Sequence, residues 1–424
     1  MAKIYREVFG CSANVADYEI ASGLLKKAGF EFTDCPKDSD LNIIFTCTVK
    51  VPTIQRMVFR IKELTKSSKP LIIAGCLPKA NKKLVEKINS EACLLAPDQV
   101  EKIVDVARAA LEIKKLAFLG DLKKPKLDLP RCRKNPIIGI TQIGRGCLSN
   151  CSFCTEPYKG KLFSYPSDSI IKDVRKALEK GCKEIWLTSL DDGCYGFDLG
   201  TNLAELLNKI SGLNEKFFVR VGMANPSHIK KILDELIQAY QNKKIFKFLH
   251  LPVQSGSNRI LELMKRGYMI KDFLEIVKKF REKIPELTLA TDIIIGFPSE
   301  TEEDFRKTIE LIDKIKPDVV NLSKFGAMPR TEAAKMRQLD VKNISERSIF
   351  LANLIKEITL EKNKKWVGWE GEILIDEKGK ADTWIGRNFA YKPIVIQSPE
   401  NLFGKFCEVK ISDATTNFLT SKKL

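Results

Sequence analysis

Short apolar runs alternate with amphipathic stretches along residues 1–115 of the chain. This alternation is typical of βαβ units that build an open parallel sheet. The predicted strands are Ile4–Phe9, Leu41–Phe45 and Leu71–Ala74. A cysteine follows each strand within two residues, at Cys11, Cys47 and Cys76. Because the carboxyl ends of parallel strands lie at one edge of a sheet, we expect these cysteines to converge there.

The middle of the chain repeats the alternation after an interruption. Residues 116–136 combine prolines with lysines, and we interpret this segment as a linker. Strands are then predicted at Ile137–Ile143, Glu184–Thr188, Phe217–Val221, Phe248–Pro252, Leu287–Ile295 and Val319–Leu322, with helices such as Ser169–Lys180 and Ile270–Lys283 between them. Such units without a Gly-rich nucleotide fingerprint indicate a barrel-like αβ architecture over residues 137–365.

The last segment, residues 366–424, has a different pattern of apolar residues and glycines. Short apolar runs alternate there with glycines at Gly368, Gly371, Gly379, Gly386 and Gly404. This pattern predicts a small β-barrel. The whole chain is therefore expected to be an α/β protein in which a parallel-sheet domain, a linker, a barrel-like core and a β-barrel follow one another.

Charge and hydropathy restrict the class of protein. The chain has 71 Lys and Arg against 54 Asp and Glu, a net charge of +17. Such an excess favours a polyanionic partner, although a lysine-rich surface from a biased proteome would give the same balance. No apolar run approaches the ~18 residues of a membrane span, and the chain start lacks a signal-peptide pattern. We expect a cytoplasmic protein that does not bind membranes.

The cysteine content points to metal chemistry. Twelve cysteines without a secretion signal favour metal ligation or buried thiols over a disulfide framework. With only two histidines in the chain, a metal would be bound mostly by thiolates. Thiolate sites select zinc, copper(I) or iron–sulfur clusters.

One loop carries three cysteines at a diagnostic spacing. Cys147, Cys151 and Cys154 form a C-x3-C-x2-C pattern directly after the first strand of the middle region. Three thiolates can hold three irons of a [4Fe-4S] cluster, which leaves the fourth iron free to bind and reduce S-adenosylmethionine (SAM). Phe153 can shield the cluster from water. The alternative is a structural zinc loop, but zinc sites usually close with four ligands, and no second pair of cysteines follows at the required distance.

This loop resembles the radical SAM superfamily, and other segments resemble its methylthiotransferase branch. These segments are Leu251–Ser257, Met264–Tyr268 and Thr291–Thr301. The resemblance covers nearly the whole chain. It implies a flavodoxin-like methylthiotransferase domain, a radical SAM partial TIM-type (βα)6 barrel and a C-terminal RNA-binding β-barrel of the TRAM type.

The resemblance also implies site residues. Gly10–Asp17, Thr46–Val49 and Ala74–Pro78 match the family's ligand motifs, so Cys11, Cys47 and Cys76 would hold an auxiliary [4Fe-4S] cluster that carries the sulfur to be transferred. The alternative for any single cysteine is a small buried filler. Gln254, Ser255 and Asp292 lie at or near predicted strand ends and are candidates for SAM contacts. Their alternative is an ordinary capping or turn role.

The implied reaction replaces a C–H bond by C–S–CH3, with SAM as both methyl donor and radical source. Leu187–Gly196 resembles the branch that acts on N6-threonylcarbamoyladenosine (t6A) at position 37 of tRNA. The implied partners are the tRNA anticodon stem-loop, a reducing electron donor and a sulfur donor. The alternatives are an isopentenyl-adenosine (i6A) tRNA substrate, a ribosomal-protein aspartate, or a non-catalytic iron–sulfur RNA-binding protein.

Three further features leave open questions. Met328-Pro329-Arg330-Thr331 stands where the family usually has R-P-G-T, so a substrate contact there is unassigned. The C-terminal segment is neutral overall, and a local RNA-binding face would need side chains such as Arg387, Phe389, Tyr391 and Lys392. Cys194, which lies in a loop, is a further thiol of interest.

Overall fold

The computed structural model describes residues 2–122, 124–155 and 162–424. The strands of the N-terminal domain are β1 Lys3–Val8, β2 Glu31–Thr33, β3 Leu41–Thr46, β4 Leu71–Gly75, β5 Cys93–Leu95 and β6 Ala117–Phe118. Its α-helices are α1 Ser12–Lys27, α2 Val51–Thr65, α3 Cys76–Ala80, α4 Lys82–Ile88 and α5 Ile103–Leu111.

The N-terminal strands form one parallel sheet in the order β2-β1-β3-β4-β5-β6. The first five positions follow the flavodoxin order. Every residue of β3 and β4 is buried, as expected for central parallel strands covered by helices on both faces. The sheet ends with β6, which lies inside the segment interpreted as a linker. Its two-residue pairing with β5 gives too short an apolar run to stand out among lysines and prolines.

The core domain has the strands β7 Ile138–Gln142, β8 Gly144–Arg145, β9 Phe163–Ser164, β10 Glu184–Thr188, β11 Phe218–Arg220, β12 Phe248–His250, β13 Thr288–Ile295 and β14 Val319–Lys324. Its α-helices are α6 Ser167–Glu179, α7 Leu203–Ser211, α8 Pro226–Ile229, α9 Leu233–Tyr240, α10 Asn258–Leu263, α11 Ile270–Lys283, α12 Glu302–Ile315 and α13 Val341–Lys364.

The large core strands form a partial barrel. β7, β10 and β11 make one parallel sheet, and β12, β13 and β14 make another. A parallel bridge joins Val219 of β11 to Ile245, which lies just before β12. The strands follow one another around the barrel in chain order, which is the arrangement that the repeated βα alternation predicts. β7 and β14 are left as the two edges of the open seam.

Local sequence explains where the surrounding helices begin and which face they bury. In α6, the buried Ile170, Val174 and Ala177 repeat at helical spacing and pack on the strands. In α12, the Thr301 side chain accepts from the Asp304 amide at 3.2 Å, and the Asp304 carboxylate accepts from the Thr301 amide at 2.9 Å. This capping box contributes about 1 kcal/mol and fixes the start of the helix next to the loop after β13.

The C-terminal domain is a closed barrel. Its strands are β15 Glu370–Lys378, β16 Thr383–Arg387, β17 Pro393–Gln397, β18 Phe406–Ala414 and β19 Leu419–Lys423, in the order β15-β16-β17-β19-β18. Ile373, Ile394 and Val409 lie in its fully buried core. Trp366 and Trp384 pack against that core, so they contribute to folding of the barrel.

The N-terminal domain contacts both edges of the partial barrel. Val15 and Ala16 of α1 pack with Ile138 and Ile140 of the edge strand β7. At the other edge, Gly326 follows β14 and lies so close to Val51 that a methyl group on this glycine would be 2.6 Å from Val51 Cγ2. The domain therefore spans the open seam and covers the barrel interior from the side.

The C-terminal barrel packs where the core strands begin. Lys392 Nζ donates to Asp318 Oδ1 at 2.8 Å and to Asn363 Oδ1 at 3.1 Å, and it is only 4% exposed. The Tyr391 ring lies 5.0 Å from that of Phe248. Lys392 and Tyr391 face the core domain, so the local RNA-binding face considered from the sequence does not form with them. A buried charge such as that of Lys392 needs polar partners. Its partners, Asp318 and Asn363, lie far from it in the sequence.

The described residues provide no candidate for a membrane crossing, since none of their helices is both long enough and apolar enough to span a bilayer.

Candidate active site

Cys11, Cys47 and Cys76 occupy equivalent positions on three adjacent strands. Cys11 caps the N-terminus of α1 after β1, Cys47 follows β3 directly, and Cys76 begins α3 directly after β4. Because β1, β3 and β4 are parallel neighbours, the three residues lie at one edge of the sheet. The convergence inferred from the sequence therefore agrees with the topology of the sheet.

Two glycines bring these loops into contact. Gly10 has φ +106°, and a methyl group on it would lie 2.4 Å from Cys47 Cβ and 2.8 Å from Cys47 Sγ. Gly75 has φ +91°, and a methyl group there would lie 2.3 Å from the Thr46 carbonyl oxygen. Only glycine fits both the backbone conformation and the space at these positions. The residue before each of Cys11 and Cys76 thus permits close approach to the loop that carries Cys47.

The surroundings of the three cysteines suit an anionic cluster. Cys47 is 3% exposed, and its amide donates to Met57 Sδ at 3.1 Å. The buried Thr48 hydroxyl has no hydrogen-bond partner among the described residues. A hydroxyl next to a ligand cysteine can donate to a cluster sulfur, and hydrogen bonds of this kind are usual at iron–sulfur sites. Three thiolates on one sheet edge with such a donor beside them could hold an iron–sulfur cluster.

Replacing Gly10 with alanine is expected to remove about half of the iron from the anaerobically purified protein, corresponding to one of two [4Fe-4S] clusters. The added methyl group collides with Cys47 and pushes its loop away from the other two cysteines. Gly181→Ala is the matched control. Gly181 has φ +89° and nothing lies within 4 Å of a methyl group there. In this control, the left-handed backbone conformation costs alanine about 1–2 kcal/mol of stability, and we expect the iron content to stay unchanged. Full iron content in Gly10→Ala would contradict the prediction.

The second trio, Cys147, Cys151 and Cys154, lies at the opening of the partial barrel after β7. Its loop is anchored to the C-terminal end of α10, because Ser152 N donates to the Met264 carbonyl at 3.1 Å and Ser152 Oγ donates to the Leu263 carbonyl at 2.7 Å. Phe153 packs with Met264 and Phe297, with the two phenylalanine rings 6.4 Å apart. The loop is therefore held in place by groups other than its cysteines.

Hydrogen-bond donors surround the sulfur atoms of this loop. Ser149 N lies 3.3 Å from Cys147 Sγ, and Arg266 Nη1 lies 3.2 Å from Cys151 Sγ. Burial lowers the pKa of Arg266, but Tyr268 and Cys151 raise it to a larger extent, so the guanidinium remains charged. A permanent cation and an amide donor next to two thiolates fit a negatively charged [4Fe-4S] cluster better than a neutral filler role.

A buried polar group adjoins Cys147. Asp191 Oδ2 lies 3.8 Å from Cys147 Sγ and 2.7 Å from His228 Nδ1. The side chain of Cys194 hydrogen-bonds to Cys147 and is the leading cause that lowers the Cys147 pKa to about 7. The same contact, together with burial, raises the pKa of Cys194. The contact therefore shifts the pKa values of the two thiols in opposite directions.

The barrel interior above β12 and β13 is polar. Asp292 Oδ1 accepts from Asn321 Nδ2 at 2.7 Å and lies 3.2 Å from His250 Nε2. Burial raises the pKa of Asp292, but the hydrogen bond and charge of His250, with contributions from Asn321 and Lys50, lower it below its ordinary value. Lys50, an exposed residue of the N-terminal domain, is therefore close enough for its charge to affect Asp292.

The candidates for SAM contacts differ in what their side chains face. Gln254 has φ +75°, is 9% exposed, and its Oε1 lacks a hydrogen-bond partner among the described residues. A strained residue with an unsatisfied buried acceptor is typical of a ligand site. Asp292 lies within β13 and not at its end. Ser255 is fully buried, accepts from the Ser257 amide at 3.2 Å and lies 3.5 Å from Thr308 Oγ1. The Ser255 hydroxyl therefore connects its loop to α12.

The altered Met328–Thr331 segment forms a turn next to the same opening. Thr331 Oγ1 donates to the Met328 carbonyl at 2.8 Å, and Arg330 has φ +68° and is exposed. The backbone of Ala333 donates to the carbonyl of Ser152 at 3.0 Å. The segment thus supports the loop of the second trio through its backbone, whatever its side chains contact.

A short path connects the two cysteine trios. Ser12, the neighbour of Cys11, has its hydroxyl 2.8 Å from Thr188 Oγ1 at the end of β10. The loop that follows Thr188 carries Asp191, which contacts Cys147. Gln142 Nε2 at the end of β7 also donates to the Ala13 carbonyl at 3.0 Å. The N-terminal end of α1, beside Cys11, therefore contacts two core strands whose following loops carry or approach Cys147.

Several site residues were not assigned from the sequence. Arg266 stands in a segment that resembles the family, but its contact to Cys151 spans 115 positions. His228 pairs with Asp191 across 37 positions. A lone histidine carries no local signal for such a pairing. Glu156–Lys161, next to the second trio, lie outside the described residues.

Comparison with known families divides the chain as its domains do. Residues 3–96 match the uncharacterized protein family UPF0004, residues 141–312 match the radical SAM superfamily, and residues 364–424 match the TRAM domain. These matches agree with the three kinds of domain inferred from the sequence.

Two relatives match nearly the whole chain and are named as threonylcarbamoyladenosine tRNA methylthiotransferases. A probable threonylcarbamoyladenosine tRNA methylthiotransferase from Pyrococcus horikoshii is 42% identical over 99% of both chains. The threonylcarbamoyladenosine tRNA methylthiotransferase of Homo sapiens is 33% identical over 98% of this chain and 73% of the human one.

Solved structures share the fold at low identity. The radical SAM methyltransferase TsrM from Kitasatospora setae, with tryptophan and a SAM analogue bound, has a TM-score of 0.56 and 16% identity over 79% of this chain and 75% of that chain. The cobalamin-dependent SAM radical enzyme OxsB has a TM-score of 0.53 and 10% identity over 84% of this chain and 56% of that chain. These likenesses support a radical SAM fold.

Proposed function

Because the chain belongs to the family of threonylcarbamoyladenosine tRNA methylthiotransferases, we propose that it converts t6A at position 37 of tRNA to its 2-methylthio derivative, ms2t6A. The observation that carries the proposal is the contact between Ser12 and Thr188, which joins the loop of Cys11 to the strand whose following loop approaches Cys147. A methylthio transfer needs a sulfur carrier and a radical source within reach of the same adenine carbon.

Cys147, Cys151 and Cys154 would hold the cluster that cleaves SAM, and Cys11, Cys47 and Cys76 would hold the auxiliary cluster. When bound, the clusters and SAM supply the electron, the 5′-deoxyadenosyl radical and the methylated sulfur. Arg266 would hold the SAM-cleaving cluster by its charge-assisted contact to Cys151. The N-terminal domain would exclude water, since α1 covers β7 at the open seam.

Gln254 is the residue of the chain best suited to hold SAM beside the cluster of the second trio. Its unsatisfied Oε1 can accept from the amino or hydroxyl groups of SAM. Phe153 would cover the cluster on the side of Met264 and Phe297. Asp292 would act on SAM or substrate from the cavity wall, with its orientation fixed by His250 and Asn321.

The polarity of the cavity favours t6A over i6A. The threonylcarbamoyl group carries a carboxylate, a hydroxyl and a urea, whereas the isopentenyl group is apolar. Lys50, His250 and Asn321 supply a cation and hydrogen-bonding groups to this space. The polar groups of t6A can add hydrogen bonds to side chains of this kind, whereas the isopentenyl group cannot.

The net charge of +17 and the C-terminal TRAM match support binding of the tRNA anticodon stem-loop by backbone contacts. The reaction also needs a reducing electron donor and a sulfur donor. We place this activity in the cytoplasm, where its tRNA substrate is found.

Expression of the protein in a host whose tRNA contains t6A but no ms2t6A tests the proposal. We expect mass spectrometry of digested host tRNA to detect ms2t6A and an equivalent decrease of t6A. A matched culture with the Cys147→Ala variant should contain t6A alone. Modification of i6A or of a ribosomal-protein aspartate, with t6A unchanged, would assign the protein to another substrate. Unchanged tRNA and ribosomal proteins would favour the non-catalytic alternative.

A further inference from the structure

The outer face of α2 exposes an aromatic side chain between two cationic ones. Ile61 and Leu64 of this helix are buried against the sheet. Phe59 lies on the opposite side of the helix, where it is 65% exposed, the highest exposure of any aromatic side chain among the described residues. Helical spacing places Arg56 one turn before Phe59 and Lys62 one turn after it. All three side chains therefore face solvent together.

The positive charge of this face is not compensated within the described part of the chain. Glu63 is the acidic residue of α2, and it pairs with Lys66 at 2.8 Å. Arg56 and Lys62 make no ion pair with a described carboxylate. A single exposed phenylalanine would need no explanation, but an aromatic ring between two unpaired cations forms a distinct surface. Arg56, Phe59 and Lys62 are called the α2 strip below.

The helix that carries the α2 strip begins beside the opening of the partial barrel. Its first residue, Val51, packs against Gly326, which follows β14. The preceding residue, Lys50, is close enough for its charge to affect Asp292. With a rise of 1.5 Å per residue, Phe59 lies about 12 Å along the helix from Val51. Roughly four nucleotides at the 3.4 Å spacing of a stacked strand cover this distance.

A single-stranded RNA loop fits the α2 strip better than a second copy of the chain. Unpaired bases stack on aromatic side chains while lysine and arginine contact the neighbouring phosphates. In a two-fold dimer through the same face, Arg56 and Lys62 of one copy would lie against those of the other, and such a juxtaposition of like charges is unfavourable. Charge and aromatic exposure thus both favour a polyanion with accessible bases.

We propose that the α2 strip binds the anticodon loop of the tRNA substrate, with Phe59 stacking on an unpaired base and with Arg56 and Lys62 contacting the adjoining phosphates. The proposal rests on the proposed function for the identity of the RNA. When the target adenosine enters the partial barrel, its neighbours in the loop stay outside, where α2 begins. The strip would therefore favour an RNA with an open loop over a fully paired one.

Fluorescence anisotropy with a labelled anticodon stem-loop that contains t6A tests the role of Phe59. We expect Phe59→Ala in the full-length protein to raise Kd by about 5- to 100-fold, which corresponds to the loss of one base stacked on an aromatic ring. Phe59→Trp keeps a stacking surface and should bind like the wild type, whereas Phe59→Leu should bind like the alanine variant. Phe350→Ala is the matched control, since Phe350 on α13 is 56% exposed, and its Kd should not change.

A hairpin with the same stem, closed by a short and tightly stacked loop, separates base stacking from phosphate contact. Phe59→Ala should bind this hairpin as the wild type does. With the anticodon stem-loop, Arg56→Ala and Lys62→Ala should each lower the slope of log Kd against log salt concentration by about 0.7, the value for one phosphate of a single strand. Arg175→Ala should leave the slope unchanged, because Arg175 is an exposed residue of α6, away from α2 in the core domain.

Unchanged affinity of Phe59→Ala for the anticodon stem-loop would overturn the inference. Wild-type affinity of Phe59→Leu would do the same, because it would indicate an apolar contact without stacking. Sedimentation of the wild-type protein as a dimer that Phe59→Ala dissociates would assign the strip to a second copy and would also overturn it. RNA binding that every strip variant retains refutes only the strip, whereas absence of RNA binding by the wild-type protein refutes the tRNA partner of the proposed function itself.

Discussion

Replacing Cys147 with alanine is expected to abolish both 5′-deoxyadenosine formation and methylthio transfer, while about four of about eight iron atoms per chain remain bound. The substitution removes one of three ligands from the second trio. The loop itself should survive, because Ser152 and Phe153 anchor it to Leu263, Met264 and Phe297 independently of the cysteines. The remaining iron belongs to the sheet edge of the N-terminal domain, which the substitution does not touch.

Iron and sulfide analysis after anaerobic purification, combined with chromatography of SAM cleavage products, measures this result. Cys182→Ala is the matched control in the same domain, with a thiol that is 3% exposed and bonded to a backbone carbonyl. Loss of all iron from the Cys147 variant would mean that the two trios do not form separate sites. Zinc in place of iron in the wild-type protein would contradict both cluster assignments.

Replacing Cys47 with alanine is expected to separate the two halves of the reaction. SAM cleavage to 5′-deoxyadenosine should continue near the wild-type rate, because the second trio and Arg266 are unchanged. No methylthio product should form, because the auxiliary cluster loses the central ligand of its sheet edge. Cys47 directly follows β3, which lies between β1 and β4, so the other two thiolates cannot close a site across the missing position.

The measurement compares the amounts of 5′-deoxyadenosine and ms2t6A formed in one reaction. Cys93→Ala is the control from the same domain, since its buried thiol on β5 donates to the Lys114 carbonyl at 3.3 Å. Formation of ms2t6A by the Cys47 variant would exclude the first trio as the sulfur-carrying site. Loss of SAM cleavage would mean that the trios are coupled more tightly than their separate positions indicate.

The sequence predicts features of this molecule that depend on local pattern. Each N-terminal cysteine follows an apolar run at once, and parallel pairing of those runs is enough to bring the cysteines to one edge. The strand Glu184–Thr188 and the helix Ile270–Lys283 have the predicted bounds, because their apolar periodicity is uninterrupted. β6 was not predicted, because a strand of two residues is too short to show an apolar periodicity.

Side-chain direction and long-range pairing are beyond such patterns. Ser255 follows a barrel strand as predicted, yet its hydroxyl lies near Thr308 of α12. Lys392 was considered for RNA contact. Its ammonium group instead donates to Asp318, 74 positions away, and lies in a domain interface. The approach of Cys194 to Cys147 likewise depends on Asp191 and His228 meeting in the folded core. Such contacts follow from how whole domains pack.

A single reaction tests the central claim most directly. Reconstituted protein, reductant, t6A-containing tRNA and SAM deuterated on its methyl group are combined under anaerobic conditions, and the digested tRNA is analysed by mass spectrometry. Two trios with separate tasks predict ms2t6A that carries the deuterated methyl group, accompanied by 5′-deoxyadenosine. Release of 5′-deoxyadenosine with t6A left unmodified, or no cleavage of SAM by a protein that contains its iron, would contradict the account.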